Sequence, residues 1–242
     1  MRADRDQGRV GREETQEPHD GRGGLHPIGW TDRLASADRE GTSQEGAEGF
    51  VQAGSGGVGT FAIQLAKHVG ATVATTTSTA NVNLVRSLGA DIVIDYKKDD
   101  FEQVLRDYDV VLNSLDKVTL EKSLRVLKPG GRLISISGPP DPDFARDSGA
   151  SWMLKAAMRV LSYGVRAKAK RLQVNYSFLL MRANGDQLAE ITALVESGII
   201  RPVVDRVFPF ESTDEALAYV EAGRARGKIV VKVRPPEAGS AV

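Results

Sequence analysis

The chain of 242 residues contains no cysteine. That excludes disulfides, thiolate nucleophiles and thiolate zinc sites. Its three histidines, His19, His26 and His68, are scattered without the spacing of a metal-ligand pair. There is no net charge, because 32 Lys and Arg balance 32 Asp and Glu. No overall field therefore attracts a polyanion, and the expectation is no nucleic acid and no membrane among the partners. Apolar runs long enough to cross a bilayer are missing, as is the apolar core of a signal peptide near Met1. A cytoplasmic location is the expectation.

What is present falls into two textures. Residues 1–49 are rich in Arg, Asp, Glu, Gly and Gln, with sparse apolar residues that follow neither helix nor strand periodicity. Such a stretch cannot bury enough surface to offset its ordering entropy, so disorder is expected there. From Phe50 onwards, apolar runs alternate with helical patterns: "FVQ", a helix over 57–69, "TVATT", a helix over 80–88, "DIVID", a helix over 100–106, "DVVLNS", a helix over 117–127, and "RLISIS". Alternation of this kind predicts an α/β fold, a doubly wound parallel sheet with helices on both faces. A Pro-rich loop and a basic amphipathic helix near 150–163 follow, then the strand "NYSFLLMR" and a helix near 185–197. The end of the chain reads strand–helix–strand. The expected division is a cofactor-binding Rossmann domain over 50–202, a C-terminal unit over 203–233 and a flexible tail over 234–242.

The stretch Gly54-Ser55-Gly56-Gly57-Val58-Gly59 fits G-x-G-x-x-G between a strand and a helix. In that context the glycines allow a tight turn, close approach of a pyrophosphate and close helix–sheet packing. The helix N-terminus offers free N–H groups and the positive end of its dipole to phosphates. A dinucleotide is the expected ligand, and a purely structural turn is the alternative. About 20 residues on, an acidic residue would hold the ribose of NAD. This chain has Thr75-Thr76-Thr77-Ser78-Thr79 instead. Hydroxyls can donate to a 2′-phosphate that a carboxylate would repel, which favours NADP(H). The competing view is that threonines simply suit a strand end and a helix cap.

Taken together, "AGSGGVGTFAIQLAKHVGATV", "SLGADIVIDY", "SLRVLKPGGRLISISGPP", "SFLLMRANGDQL" and "GKIVVKV" resemble the medium-chain dehydrogenase/reductases over about residues 50–233. The closest branch is the zinc-independent, quinone oxidoreductase-like one. The resemblance implies an enzyme that transfers hydride from NADPH to a quinone, an enone or a related carbonyl substrate. It implies that Gly54, Gly56, Gly57, Val58 and Gly59 bind the pyrophosphate, with Thr77, Ser78 and Tyr96 near the adenosine phosphate. Asn113 and Ser114, and Ser137 and Gly138, would face the ribose and nicotinamide. Phe178 and Leu179 would back the nicotinamide ring, and Lys228 would sit near the cofactor. Tyr96, Phe178 and Lys228 also read as a loop aromatic, a core residue and a solvated strand start. A homodimer through the 174–181 edge strand is implied as well. Two departures stand out. Thr79-Ala80-Asn81 occupies a region where many relatives carry a lysine, and Asp116-Lys117 replaces a glycine pair.

The family begins with a GroES-like domain, which residues 1–49 do not resemble. Read one nucleotide later, the codons allowed for residues 14–49 accommodate "KPKNLTMDEAASIPLVGLTAWQALIERA", one free position and "VKKGQKV". That string looks like the family's linker into its cofactor domain, so residues 1–49 are expected to be an out-of-frame reading. The resemblance implies that the strand–helix–strand unit over 203–233 is the C-terminal part of that GroES-like domain, a remnant that would here lack its usual packing partner. Two other functions compete with reductase: a non-catalytic NADPH-binding remnant, and a methyltransferase using S-adenosylmethionine, hinted at by "LRVLKPGGRLISIS". No catalytic acid is evident, and His68 reads as a helix-surface residue.

Overall fold

The computed structural model describes residues 46–233 except 148, 150 and 182. The expectations of disorder and of a shifted frame up to residue 45, and of a flexible tail over 234–242, fall outside the described residues. Residues 46–49 do not fit the expectation placed on them. Strand β1 is Glu48–Val51, and it pairs with its neighbour from Glu48 onwards. Ala47 is buried. The ordered domain therefore begins before the expected boundary at 49, because the backbone of Glu48 and Gly49 already contributes to the ladder.

After β1 come α1 (Gly59–His68), β2 (Thr72–Thr77), α2 (Val82–Ser87), β3 (Ile92–Asp95), α3 (Phe101–Val104) and β4 (Tyr108–Asn113). Then follow α4 (Lys117–Leu124), β5 (Leu127–Ser135), α5 (Pro142–Asp147), α6 (Trp152–Leu161), α7 (Tyr163–Arg171) and β6 (Asn175–Phe178). The chain continues with α8 (Gly185–Glu196), β7 (Val204–Pro209), α9 (Thr213–Glu221) and β8 (Lys228–Lys232). Six strands form one parallel sheet in the order β3-β2-β1-β4-β5-β6. This is the Rossmann order, in which the winding reverses between β1 and β4 and leaves a crevice at the carboxyl ends of those strands.

Pleating sends successive side chains to opposite faces, and here both faces are covered. Phe50 enters one core with Phe101, Tyr108, Val111 and Leu133. Its neighbour Val51 enters the other with Ile63, Val73, Val110 and Ile134. Each such side chain contributes about 1.5–3 kcal/mol by leaving water. Several helices start on side-chain caps: Asp100 accepts from the Glu102 N–H, Asp116 from Thr119 and Asn184 from Gln187. The Asp116 that departs from the family's glycine pair is thus the cap of α4.

The basic helix expected near 150–163 is α6, and a second helix that the sequence did not signal, α7, follows it; the two meet at buried Ser162, whose hydroxyl donates to the Met158 carbonyl. Helix α7 buries only Val165 and Ala169, a face too small to register as periodicity. Strand β6 ends at Phe178, short of the eight residues read from the sequence.

Strands β7 and β8 form a separate two-stranded parallel sheet, crossed by α9. This unit is stitched to the glycine loop. The Gly227 N–H donates to the Ser55 carbonyl at 2.8 Å, and Gly56 and Gly227 form a parallel bridge. Gln64, buried on α1, grips the segment before β7 at both ends of one residue. Its Oε1 accepts from the Arg201 N–H at 2.8 Å, and its Nε2 donates to the Arg201 carbonyl at 3.2 Å.

Candidate functional site

The glycine loop leaves β1 at the reversal point. Its first residues are tied to β2: the Ala53 N–H donates to Thr76 Oγ1 and the Gly54 N–H to the Thr76 carbonyl. A Cβ on Gly54 would lie 2.1 Å from Thr75 Oγ1, so the loop can hug β2 only without a side chain there. Ala53 adopts φ 51°, a left-handed conformation that a non-glycine residue holds only under constraint.

The loop borders a cleft of about 790 Å³ at the carboxyl end of the sheet. Among the expected site residues, Gly56, Thr77, Ser78 and Tyr96 line it. Within the threonine run, Thr77 and Ser78 reach the cleft while the threonine hydroxyls also bond within the protein. Thr75 Oγ1 donates to the Val51 carbonyl, Thr76 Oγ1 holds Ala53, and Thr77 Oγ1 donates to Ser55 Oγ. These hydroxyls mainly bind the loop to β2. Asp95 ends β3 nearby, but Thr79 donates to its carboxyl, and that hydrogen bond holds its pKa below the usual carboxylate range.

Gly57 and Val58 sit at the start of α1, with Val58 as its N-cap. Gly59 opens the helix and is buried. Lys228 does reach the loop: a Cβ on Gly57 would lie 3.1 Å from its Nζ.

The residues expected at the nicotinamide end do not line this cleft. Asn113 is fully buried and spends its amide on Gln52, Ser135 and Ser137. Ser114 Oγ donates to the Gln52 carbonyl at 3.5 Å. Ser137 is exposed, and the Gly138 N–H donates to Ser135 Oγ at 2.8 Å. The Phe178 ring stands edge-on to Phe144 at 5.2 Å, and its N–H donates to Asp141. Leu179 packs against the second core. His68 lies exposed in the last turn of α1, away from the cleft.

Sequence reasoning missed five lining residues that matter: Asn81, Lys97, Leu115, Arg224 and Arg226. Asn81 donates to Ser55 Oγ and Ser78 Oγ. Its Oδ1 is buried without a partner. Arg224 and Arg226 come from the turn between α9 and β8. The only local signal was the basic run "GRARGK" ahead of a strand.

Strand order and a glycine loop at the switch point define a Rossmann-type α/β protein. The family model described as zinc-binding dehydrogenase matches residues 88–231. The chain is 38% identical over 189 residues to the zebrafish (Danio rerio) protein named NAD(P)H oxidoreductase RTN4IP1, mitochondrial, covering 76% of this chain and 48% of that protein. It is 36% identical over 182 residues to the NADPH-dependent alkenal/one oxidoreductase, chloroplastic, of Arabidopsis thaliana, covering 74% of this chain and 38% of that one. Among solved structures, the quinone oxidoreductase from Coxiella burnetii superposes with TM-score 0.66 at 28% identity, covering 84% of this chain and 58% of the other. The chain belongs to the zinc-binding dehydrogenase family, and it spans about half the length or less of the two curated relatives named. That membership leaves the methyltransferase reading without support. The relatives' names place them in mitochondria and chloroplasts and lend nothing to a cytoplasmic location. Among the described residues, no helix is long and apolar enough to cross a membrane.

Proposed function

We propose that this chain holds NADPH along the carboxyl edge of its sheet, and serves an oxidoreductase that reduces a quinone, enone or related carbonyl compound without zinc. One observation carries the reading. Three cations, Lys97, Arg224 and Arg226, line the same cleft as the glycine loop and the end of β2, and no carboxylate lines it among the described residues. That charge distribution suits a 2′-phosphate better than a bare ribose diol. The names of the alkenal/one and quinone oxidoreductase relatives support the substrate class.

Gly54 to Gly59 and the N-terminus of α1 would hold the pyrophosphate through backbone N–H groups. Thr77, Ser78, Tyr96 and the three cations would hold the adenosine end. Ser114, Ser137 and Gly138, at the ends of β4 and β5, lie on the side of the sheet that takes the second nucleotide half in this fold, and Phe178, Leu179 and Lys228 would complete the surroundings. Bound NADPH would supply the hydride; the protein orients it and excludes water. The zinc in the family's name does not fit the donors present. Cysteine is absent from the sequence, and among the described residues no three His, Asp or Glu side chains converge. A homodimer through β6 is consistent with its place at the sheet edge, where among the described residues it pairs only with β5.

A second reading, NADPH binding without turnover, is favoured by how the ionisable groups near Gly138 are used. Asp141 is spent on the N–H groups of Phe144 and Phe178, and the Tyr176 hydroxyl on the Pro139 carbonyl. Calorimetric titration with NADPH and NADH tests the main reading. A charge-assisted hydrogen bond contributes about 1.5–3 kcal/mol. The double variant Arg224→Ala, Arg226→Ala is therefore expected to lose at least about tenfold in NADPH affinity while NADH binding stays unchanged. Equal loss for both cofactors would refute the assignment. Tight NADPH binding with no oxidation by quinones or enones would favour the second reading.

A further inference from the structure

Beneath the reversal point lies a chain of polar side chains that the cleft does not touch. Gln52, the last residue before the loop turns, is 1% exposed, and Asn113, Ser123 and Ser135 are 0% exposed. Their hydrogen bonds run in one direction. Gln52 Nε2 donates to Ser123 Oγ, which donates to the Thr119 carbonyl at 2.8 Å. Asn113 Nδ2 donates to Gln52 Oε1 at 2.6 Å, and Ser135 Oγ donates to Asn113 Oδ1 at 2.7 Å. Ser135 Oγ in turn accepts from the Gly138 N–H at 2.8 Å. Ser137 Oγ donates to the Leu115 carbonyl, with Asn113 Oδ1 a longer alternative acceptor at 3.3 Å.

Such a series is costly to bury unless every member is satisfied, and apolar side chains would fill the same space more cheaply. Its neighbours along the same strands, Val51, Leu112 and Ile134, are apolar. What the polar series adds is direction. It ties the end of β1 to the end of β4 and then to the backbone of Ser137 and Gly138 after β5, and it fixes the orientation of two amides.

We propose that Gln52 is a positioning residue, which acts through Asn113 and Ser135 to set the Ser137–Gly138 segment for the nicotinamide half of the dinucleotide. The inference rests on the NADPH reading above. The adenosine half occupies the other side of the switch point, where β2 and β3 end. Loss of the Gln52 side-chain bonds should therefore discriminate between the two halves of the ligand, which a general loss of stability would not do.

The test uses the full chain and two ligands, NADPH and 2′,5′-ADP, the latter carrying the phosphorylated adenosine but no nicotinamide. Gln52→Met keeps the length and removes the polar atoms. Its NADPH affinity is expected to fall about tenfold, the size of one or two hydrogen bonds, with 2′,5′-ADP affinity within about twofold of wild type. Amide exchange at Gly138 is expected to quicken while that of β2 is unchanged. Equal weakening of both ligands, or of neither, would overturn the proposal. If Gln52→Met does not fold, Ser123→Ala removes the outer end of the series, its bonds to Gln52 Nε2 and to the Thr119 carbonyl, and leaves the Gln52–Asn113–Ser135 bonds in place. The NADPH to 2′,5′-ADP affinity ratio is then expected to fall about threefold, and an unchanged ratio overturns the proposal. Failure of wild type to bind either ligand would sink the NADPH reading and this inference together. Binding of both by wild type with no change in the variants would sink this inference alone.

Discussion

The six-stranded sheet and the β7–β8 sheet are both parallel, yet only the first buries its two faces. In the large sheet, Phe50, Val51, Val73, Val111 and Leu133 are each fully buried. In the small unit, Val207 is 59% exposed, Leu217 58% and Phe210 57%. Phe208 stands 6.2 Å from Tyr219 between ring centroids, Arg206 lies over the same ring at 4.4 Å, and Ala216 is the one buried side chain of α9. Two strands and one helix cannot enclose a core, so this unit depends on what it is attached to. Its attachment is the glycine loop, through Gly227 and Lys228. The cleft therefore sits on the seam between a rigid element and a weakly packed one, and the weakly packed one supplies Arg224 and Arg226.

The largest effect is expected at the loop. Gly54→Val would drive a side chain into Thr75 Oγ1 and toward Ile63, whose Cδ1 would lie 2.9 Å from the first added carbon. Loss of NADPH binding by more than about 100-fold is expected, read by calorimetry alongside far-UV circular dichroism. Next in size is a pair of truncations. Leu133→Ala, in the core of the large sheet, is expected to cost about 2–5 kcal/mol in urea unfolding. Leu217→Ala, on the exposed face of α9, should stay within about 0.5 kcal/mol. Similar losses at both sites would mean that the small unit is packed as tightly as the large one.

The seam comes third. Gly227 has φ 76°, and a Cβ there would lie 2.2 Å from the Val203 carbonyl oxygen. Gly227→Ala should release the C-terminal unit, so that limited proteolysis cuts near residues 200–203 while the large sheet stays protected. NADPH affinity should fall with it, through the displaced arginines.

The smallest effect concerns pH. Hydrogen bonds from Lys122 to Asp100, from Arg125 to Glu102 and from Lys168 to Glu121 hold these carboxyls below their usual range, as backbone and side-chain bonds at Thr119 do for Asp116. A depressed folded pKa contributes stability above the unfolded value and loses it as pH falls through the folded one. The urea midpoint should therefore be flat from neutrality to about pH 5 and decline below about pH 4. The decline should be gentle, because these pairs are only partly buried and solvent screens them.

Much of this was legible residue by residue. The alternation of apolar runs with amphipathic stretches placed every strand of the large sheet, and the glycine spacing placed the loop between a strand and a helix. These are local rules, obeyed by a few neighbouring residues at a time. Where the apolar signal was thin the reading failed, as for α7 with its two buried side chains. For the threonine run it left two uses open, since whether a hydroxyl faces a ligand or the Val51 carbonyl depends on which strand lies beside it.

By itself, the sequence determined the α/β alternation, the parallel sheet and the place of the glycine loop, because hydrophobic periodicity and glycine's freedom act over short spans. Only the tertiary structure decided which residues share the cleft. Arg224 and Arg226 share a cleft with Ser55 and Ser78 because the segment ahead of β8 docks on the loop, and Asn113 turns inward because Gln52 and Ser135 stand at the ends of the adjoining strands. Contacts of that kind are set by chain closure and packing between distant segments, which no local pattern encodes.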